Sequence, residues 1–408
     1  MEQNTKGLAG VVAGNTTLSR VDGQQGQLHY CGYNIDDLVE GPYEETCYLL
    51  LHGQLPTTQQ LQEFTEDLKQ HRTVPQHVLE FIQHKSRQDH PMAVLRTAVS
   101  MLSCDNTFPS VGNDPQHTQQ QAMALIAQMS TLVASIGAAR TGKNITAPDK
   151  SLDHAANFLA MLQGQAPSAQ ACQAINVALV LHADHGFNAS TFAARAIAST
   201  LSDMVSAVTA AVGSLKGPLH GGANTAVMHM LQEIGQEDAV EPWLNQTLDH
   251  HGLVMGFGHR VYKTTDPRVK HLRMLSKQWC EHTNEAKWFH ISEKLRELVL
   301  QKKGLHPNVD FYSASLYYAL GIDPDMYTPV FALSRVAGWV GHVREQLHDN
   351  RLIRPRAQYI GHAPRAYAPL QQRTPQHHTR PKETAKNVDN LKELRWYQSN
   401  THSIKGCR

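Results

Sequence analysis

Small apolar residues recur three and four positions apart through most of the stretch between residues 118 and 215. This spacing is typical of helices with one buried face, and helices rich in Ala, Ser and Val can approach one another closely. The alternation of apolar and polar residues that marks half-buried strands is scarce. The sequence therefore predicts an all-α fold. Its first predicted helices cover 118–139, 155–163, 171–182, 190–200 and 201–215.

Two patterns outside this stretch complete the local prediction. WFHISEKLRELVLQKK (288–303) has an amphipathic stripe, and Gly304 follows it as a typical helix C-terminus. Near the start, TTLSRVDGQQGQLHYCG (16–32) predicts a small β-hairpin around Asp22-Gly23. We find no internal repeat. The expected fold is therefore helical, with a single small hairpin at its N-terminus.

Composition excludes several classes of protein. The net charge of +1 over 408 residues provides no strong field for nucleic acid or membrane. Six scattered cysteines without a CxxC pair indicate a reducing compartment and no structural zinc. No uninterrupted apolar run approaches the ~20 residues of a membrane span. MEQNTKGLAG at the start lacks an apolar signal core and an Arg-rich presequence. We therefore expect a cytoplasmic protein.

Three segments place a side chain that can transfer protons beside glycines or other small residues. They are GPLHGGAN (217–224), MGFGHRVYKTTDPR (255–268) and NVDFYSASLYYALGI (308–322). A histidine between glycines can lie in a turn where the backbone comes close to a ligand. Removal of a proton next to a carbonyl needs a base, a donor to the developing enolate and a polariser of the electrophile. His220, His259 and Asp310 supply these groups.

These three segments resemble signature segments of the citrate synthase family. HADHGFNASTFAAR (182–195), SRVAGWVGHVREQ (334–346) and IRPRAQYIG (353–361) resemble three more, and all six follow the family's order. The resemblance runs from about Lys6 to about Ala368. It implies an enzyme of the EC 2.3.3 type, an acyltransferase that converts the acyl group to alkyl on transfer. Bacterial-type citrate synthases of the tricarboxylic acid cycle are the members it resembles most.

The resemblance also implies a domain organisation. A large helical domain would consist of 1–215 and 316–370, with a smaller helical domain inserted at 216–315. The cleft between the two would hold the site. Residues 371–408 depart from the family and are polar, which favours a flexible tail. A second interpretation stays open, in which a short helix at 386–397 packs on a neighbouring subunit.

By resemblance, three residues carry the chemistry that joins acetyl-CoA to oxaloacetate. Asp310 would remove a proton from the acetyl methyl group, and His220 would donate to the thioester oxygen. His259 would polarise the ketone of oxaloacetate and protonate the new alkoxide. The enol must be stabilised as it forms, because the methyl group is a very weak carbon acid.

Oxaloacetate carries two carboxylates, and the planar fork of arginine binds a carboxylate through two hydrogen bonds. The residues that match the family's oxaloacetate ligands are His185, Arg268, Arg335 and Arg354. In the family, the arginine at the Arg354 position reaches across from the partner subunit. The resemblance therefore implies a homodimer with shared active sites, either alone or within a higher oligomer.

CoA would enter as a cosubstrate, and no cofactor is expected to stay bound. The residues matching the family's adenine-contacting loop are Leu253, Val254, Met255, Gly256 and Phe257, and Lys263 matches a phosphate-contacting position. GFGHRVY is not a dinucleotide fingerprint, since it lacks the third glycine and a preceding βα unit. No metal is expected, because HADH (182–185) has no third ligand segment. Asp249-His250-His251 is interpreted as a solvated helix end.

Two alternative functions remain. A 2-methylcitrate synthase performs the same chemistry on propionyl-CoA, and GLAGVVAGNTTL (7–18) resembles that subgroup. The three segments around His220, His259 and Asp310 resemble ordinary citrate synthases instead. The other alternative is a non-catalytic acyl-CoA binding protein on the same fold. The presence of all three proton-transferring side chains argues against it.

Overall fold

The computed structural model describes residues 6–8, 10–104 and 114–373. Its sheet is antiparallel and has the order β1 (Ser19–Asp22), β2 (Gln27–Tyr30), β3 (Tyr33–Asn34). Asp22 pairs with Gln27, so the predicted hairpin is confirmed, with a four-residue turn that ends at Gly26. Gly26 has a φ of +65°, which glycine adopts readily. The short strand β3 was not predicted.

The rest of the described chain is mainly α-helical, which confirms the predicted fold class. The helices are α1 (Ile35–Leu38), α2 (Tyr43–His52), α3 (Thr58–Gln70), α4 (Gln76–Lys85), α5 (Pro91–Met101), α6 (Pro115–Arg140), α7 (His154–Gln163), α8 (Ala169–His182), α9 (Ala189–Ala198), α10 (Met204–Leu215), α11 (Ala223–Ile234), α12 (Val240–Asp249), α13 (Val269–His282), α14 (Ala286–Lys303), α15 (Val309–Ala319) and α16 (Tyr327–His348). Short 3-10 turns occur at Lys6–Leu8, Leu102–Cys104, Glu237–Ala239, Pro324–Met326 and Leu370–Gln372.

The predicted helices between 118 and 215 are confirmed as α6 to α10, and the one at 288–303 as α14. The ends differ where local capping decides them. Asp203 precedes α10, and its carboxylate accepts the N–H of Ser206, so the helix begins at Met204. At the end of α14, Gly304 adopts a left-handed φ of +65°, as its position predicted.

Helix α6 is the central core element. In the described part of the chain it alone is long and apolar enough to cross a membrane, but 94% of its most apolar window is buried inside the protein. Its polar side chains bind backbone carbonyls in the core, with Gln128 donating to Thr73 and Thr131 to Arg72. The length and composition of α6 are therefore those of a core helix.

Helix α16 packs against α6 and also against α2, α8, α9 and α10. Because it is covered on several sides, it has apolar residues around most of its circumference. Against this background several polar or charged side chains are fully buried, among them Arg335, Trp339 and His342. Buried groups of this kind require partners, and those partners lie on α8 and α9 or on the turn that joins them.

The chain divides into two compact units, Met1–Leu352 and Ile353–Arg408. In the second, residues 353–369 have no regular secondary structure and lead into the turn Leu370–Gln372. Arg373 then donates to the carbonyl of Ala368. The inserted domain at 216–315 stays a prediction. The helix considered at 386–397 lies outside the described residues.

Candidate active site

His220 lies in the connection between α10 and α11, where GPLHGG folds into a tight turn. The N–H of His220 donates to Gly217 (2.9 Å), and the N–H of Gly221 donates to Leu215 (3.0 Å). A Cβ atom at position 221 would lie 2.4 Å from the Leu215 carbonyl oxygen, so the turn requires glycine there. The turn thus places His220 five residues after the end of α10.

The hydrogen bonds of His220 decide which ring nitrogen carries the proton. Its Nε2 accepts the backbone N–H of Ser190 at 3.2 Å and lies 2.8 Å from the Ser190 hydroxyl. A backbone N–H can only donate, so Nε2 is unprotonated and Nδ1 carries the hydrogen. Burial and the charge of Arg335 lower the pKa of His220 to about 4. His220 is therefore a neutral donor at Nδ1.

Ser190 is itself held from two sides at the start of α9. The N-cap Asn188 accepts from the hydroxyl of Ser190 at 2.8 Å. From α16, Trp339 Nε1 donates to the same hydroxyl at 3.0 Å. These contacts hold Ser190 in the position from which it orients His220. The sequence had predicted no role for Ser190 or Trp339.

His259 has the opposite tautomer. Its Nδ1 accepts the N–H groups of Val261 (3.0 Å) and Tyr262 (3.1 Å), so the hydrogen is on Nε2. Burial and Arg268 lower the pKa of His259 to about 4. The centroid of its ring lies 5.3 Å from that of His185, so the structure brings these two predicted residues together.

Two buried arginines form the electrostatic centre of the site. Arg268 donates to both carboxylate oxygens of Asp266, at 2.9 and 2.6 Å, and both side chains are almost fully buried. Although burial opposes the charge, Asp266 raises the pKa of Arg268 above its ordinary value. Arg335 donates to the carbonyl of His182 at 2.6 Å, and burial lowers its pKa to about 10. Both guanidinium groups are therefore cations at neutral pH.

Asp310 lies in the first turn of α15, where its N–H donates to the N-cap side chain of Asn308 at 3.1 Å. Burial raises the pKa of Asp310 to about 7, although Arg268 and Arg335 act in the opposite direction. The same two cations act on the histidines, Arg335 on His220 and Arg268 on His259. Between them, the two arginines therefore act electrostatically on all three predicted proton-transferring residues.

The loop predicted to contact adenine is attached to the start of α15. The carbonyl of Gly256 accepts the N–H of Asn308 at 2.9 Å, and the rings of Phe257 and Phe311 lie 4.6 Å apart. Gly256 has a φ of +81°, and a Cβ atom there would lie 2.7 Å from Val227 and 2.9 Å from Phe311. The loop is therefore placed next to Asp310.

The residues predicted to contact CoA differ in their solvent exposure. Leu253 and Lys263 are exposed, Val254 and Met255 are half-buried, and Gly256 is buried. Lys263 is held through its backbone, whose N–H donates to Gly23 at 2.8 Å, which leaves its side chain in solvent. The binding of CoA by these residues stays a prediction.

The N-terminal sheet region packs on the segment that carries His259 and Arg268. A Cβ atom at Gly23 would lie 2.2 Å from the carbonyl oxygen of Val261, so the hairpin turn needs glycine for this approach. Behind the hairpin, Asp36 pairs with Lys270 (2.5 Å) and His271 (2.7 Å). Sequence reasoning had treated the glycine only as a turn former.

Arg354, the fourth predicted oxaloacetate ligand, is exposed and belongs to the unit that begins at Ile353. It lies in the segment without regular secondary structure, two residues after the exposed apolar Leu352. Its role in the site of a partner subunit stays a prediction.

The side chains once considered as metal ligands have other partners. His182 Nδ1 lies 2.7 Å from the carbonyl oxygen of Ala178, and Asp184 lies 3.1 Å from His342 Nε2. His250 ends α12 with its Nδ1 2.8 Å from Gln246 O, and it is exposed, as interpreted. Among the residues that the structure describes, no group of three or more His, Cys, Asp or Glu could hold a metal ion.

Comparisons with known proteins show which proteins the chain is similar to. The family model for the citrate synthase C-terminal domain matches residues 7–356. The citrate synthase of Haloferax volcanii is 47% identical, over 90% of this chain and 98% of its own. The 2-methylcitrate synthase 2 of Corynebacterium glutamicum is 41% identical, over 90% of this chain and 97% of its own. A citrate synthase of Thermoplasma acidophilum has been solved in a ternary complex with carboxymethyl coenzyme A and oxaloacetate. It is 35% identical to this chain, the match covers 90% of this chain and 99% of its own, and the TM-score is 0.86.

Proposed function

The chain belongs to the citrate synthase family, and on this premise we propose that it condenses acetyl-CoA with oxaloacetate and hydrolyses citryl-CoA to citrate and CoA. It is a transferase of the EC 2.3.3 type. The observation that carries the proposal is the protonation state of three side chains. His220 and His259 are neutral donors with opposite tautomers, and the pKa of Asp310 is about 7.

In the first step Asp310 removes a proton from the methyl group of acetyl-CoA. A carboxyl with a pKa of about 7 is a stronger base than an exposed aspartate and is still substantially ionised at neutral pH. The Nδ1–H of His220 donates to the thioester oxygen as negative charge develops there. Because Ser190 fixes that tautomer, the donor needs no rearrangement during the step.

In the second step the enol carbon attacks the ketone of oxaloacetate. The Nε2–H of His259 donates to the ketone oxygen and then protonates the alkoxide that forms. The proton that Asp310 took from the methyl group restores the neutral His259 before the next turnover. Water finally hydrolyses the thioester of citryl-CoA, which releases CoA and citrate. Since the pKa of each histidine is about 4, both remain neutral donors throughout the neutral pH range.

The two carboxylates of oxaloacetate would bind to Arg268 and Arg335, with His185 beside His259 at 5.3 Å. Both arginines are buried cations already fixed by hydrogen bonds, so little side-chain entropy is lost when substrate binds. Arg354 would complete the site from a partner subunit. We therefore propose a homodimer with shared sites.

CoA would lie along the loop at 253–257, with Lys263 near its phosphates. The exposure of Leu253 and Lys263 fits such contacts. We further propose that the enzyme acts in the cytoplasm and in the tricarboxylic acid cycle, the setting that fits a condensation of acetyl-CoA with oxaloacetate.

The first prediction concerns the acyl donor. We expect kcat/KM for acetyl-CoA to exceed that for propionyl-CoA by roughly tenfold or more, since one methylene is worth about 10–200-fold. Release of CoA is to be measured with each donor at saturating oxaloacetate. The relative at 41% identity makes 2-methylcitrate synthase the second candidate. A preference for propionyl-CoA would establish it, and no release from either donor would refute both.

The second prediction concerns metals. Dialysis against EDTA should leave the condensation rate unchanged, because hydrogen bonds from the two neutral histidines and the positive charges of the arginines stabilise the proposed steps. The rate is to be compared before dialysis, after dialysis and after addition of Zn²⁺ or Mg²⁺. A loss that either ion restores would contradict the proposed mechanism.

A further inference from the structure

Tyr262 contacts both histidines of the proposed oxaloacetate site. Its hydroxyl lies 3.2 Å from Nε2 of His185. Its ring centroid lies 4.6 Å from that of His259 and 5.6 Å from that of His185. Its backbone N–H is one of the two donors to His259 Nδ1. Tyr262 is 4% exposed, so the residue lies inside the wall of the site.

The direction of the hydroxyl hydrogen bond follows from its surroundings. Within the described chain His185 is the only hydrogen-bond partner of the Tyr262 hydroxyl. If His185 Nε2 carried the hydrogen, the hydroxyl would accept it, and its own buried O–H would have no acceptor. The phenol therefore donates, and His185 takes the tautomer with its hydrogen on Nδ1.

The backbone of the same residue acts on the other histidine. Because Tyr262 and Val261 both donate to His259 Nδ1, the hydrogen of His259 is on Nε2. The segment is held in turn by the hairpin, through the bond from Lys263 N–H to the Gly23 carbonyl. Tyr262 thus helps to set the proton position on two rings whose centroids lie 5.3 Å apart.

We propose that Tyr262 is a positioning residue, whose hydroxyl and ring hold His185 and His259 in the paired orientation that binds oxaloacetate. This inference rests on the proposed function and extends it to a residue that does not react. It requires that the hydroxyl acts through His185, and that the ring limits the movement of His259.

Tyr262→Phe removes the hydroxyl and keeps the ring. The KM for oxaloacetate should rise roughly three- to tenfold, the range expected for one lost hydrogen bond. The change in kcat should be less than about twofold and the KM for acetyl-CoA should stay unchanged, because the ring still flanks His259. Titration calorimetry with oxaloacetate alone should show the same loss of affinity. This second measurement does not depend on turnover.

A double-mutant cycle separates positioning from general packing. If the hydroxyl acts through His185, Tyr262→Phe should change the oxaloacetate dissociation constant by less than about twofold in a His185→Gln background. Tyr327→Phe is the matched control. Tyr327 is fully buried on α16, and its hydroxyl has no hydrogen-bond partner in the described chain. This control should leave both KM values and the affinity for oxaloacetate unchanged.

Each outcome decides the proposal. An unchanged oxaloacetate KM and affinity in Tyr262→Phe would overturn it, as would full additivity with His185→Gln. An equal loss in Tyr327→Phe would show that any buried hydroxyl matters, and would also overturn it. A wild-type protein that binds oxaloacetate but releases no CoA would refute the proposed function, while the cycle in binding affinity would still test Tyr262.

Discussion

Asp310→Asn is expected to lower kcat at least about 100-fold, the scale typical of a general base, while oxaloacetate still binds. The asparagine keeps the shape and the place in the first turn of α15, but it cannot accept a proton from a methyl group. Steady-state rates with acetyl-CoA and calorimetric affinity for oxaloacetate measure the two effects separately. A folded variant with wild-type turnover would remove Asp310 from the mechanism.

The pH dependence of the wild type tests the same assignment. Asp310 must be ionised to act as a base, and its pKa is about 7. Activity should therefore rise with pH up to about 7 and level off above it. His220 and His259 have pKa values of about 4, so their titration causes no second change of activity near neutral pH. A flat profile of kcat/KM between pH 5.5 and 8 would contradict the assignment.

Stability provides the control for loss of structure in Asp310→Asn. Burial raises the pKa of Asp310 from 3.8 to about 7, so the folded protein holds this proton more tightly than the unfolded chain. The favourable contribution is complete below pH 3.8 and is lost as pH rises through 7. At pH 8 the wild type therefore carries a desolvated carboxylate. The variant lacks it, and its Tm at pH 8 should equal or exceed that of the wild type.

The sequence predicted the helices because their apolar residues recur at helical spacing. It predicted the hairpin because turn residues separate two short strands. It did not predict β3, since two residues show no alternation. The predicted start of α10 is three residues early, because the apolar Leu201 lies at helical spacing from Met204 and Val205 and so extends the pattern beyond the cap. There Leu201 has a φ of +65° and Asp203 accepts the N–H of Ser206.

The sequence motifs predicted the side chains that we propose to react, but not the groups that hold them in place. His220 is oriented by Ser190, thirty residues earlier, and Ser190 is bound by Trp339, 149 residues later. Contacts at such separations leave no periodic signal in a single chain. Asp266 lies two residues before the predicted ligand Arg268 in the DPR motif, so the pairing of these two side chains had a local signal. The tautomers depend on geometry alone.

Arg354→Ala is expected to raise the KM for oxaloacetate steeply and to lower turnover. Removal of this arginine would leave a buried carboxylate of the substrate without its partner, which costs on the order of 2–5 kcal/mol of binding free energy. Arg356→Ala is the matched control, because it removes an exposed arginine two residues away in the same segment without regular secondary structure. Its kinetic constants should remain close to those of the wild type. Equal losses in both variants would contradict a specific role for Arg354.

Mixing two inactive variants tests whether Arg354 serves a partner subunit. In a heterodimer of Arg354→Ala with His220→Ala, one shared site would lack His220. The other would lack Arg354, so both sites would be damaged and the mixture should remain nearly inactive. If Arg354 served its own subunit, one site per heterodimer would be intact. Activity would then recover towards half of the wild-type value per heterodimer. Such a recovery, with subunit exchange confirmed by mass spectrometry, would refute the shared site.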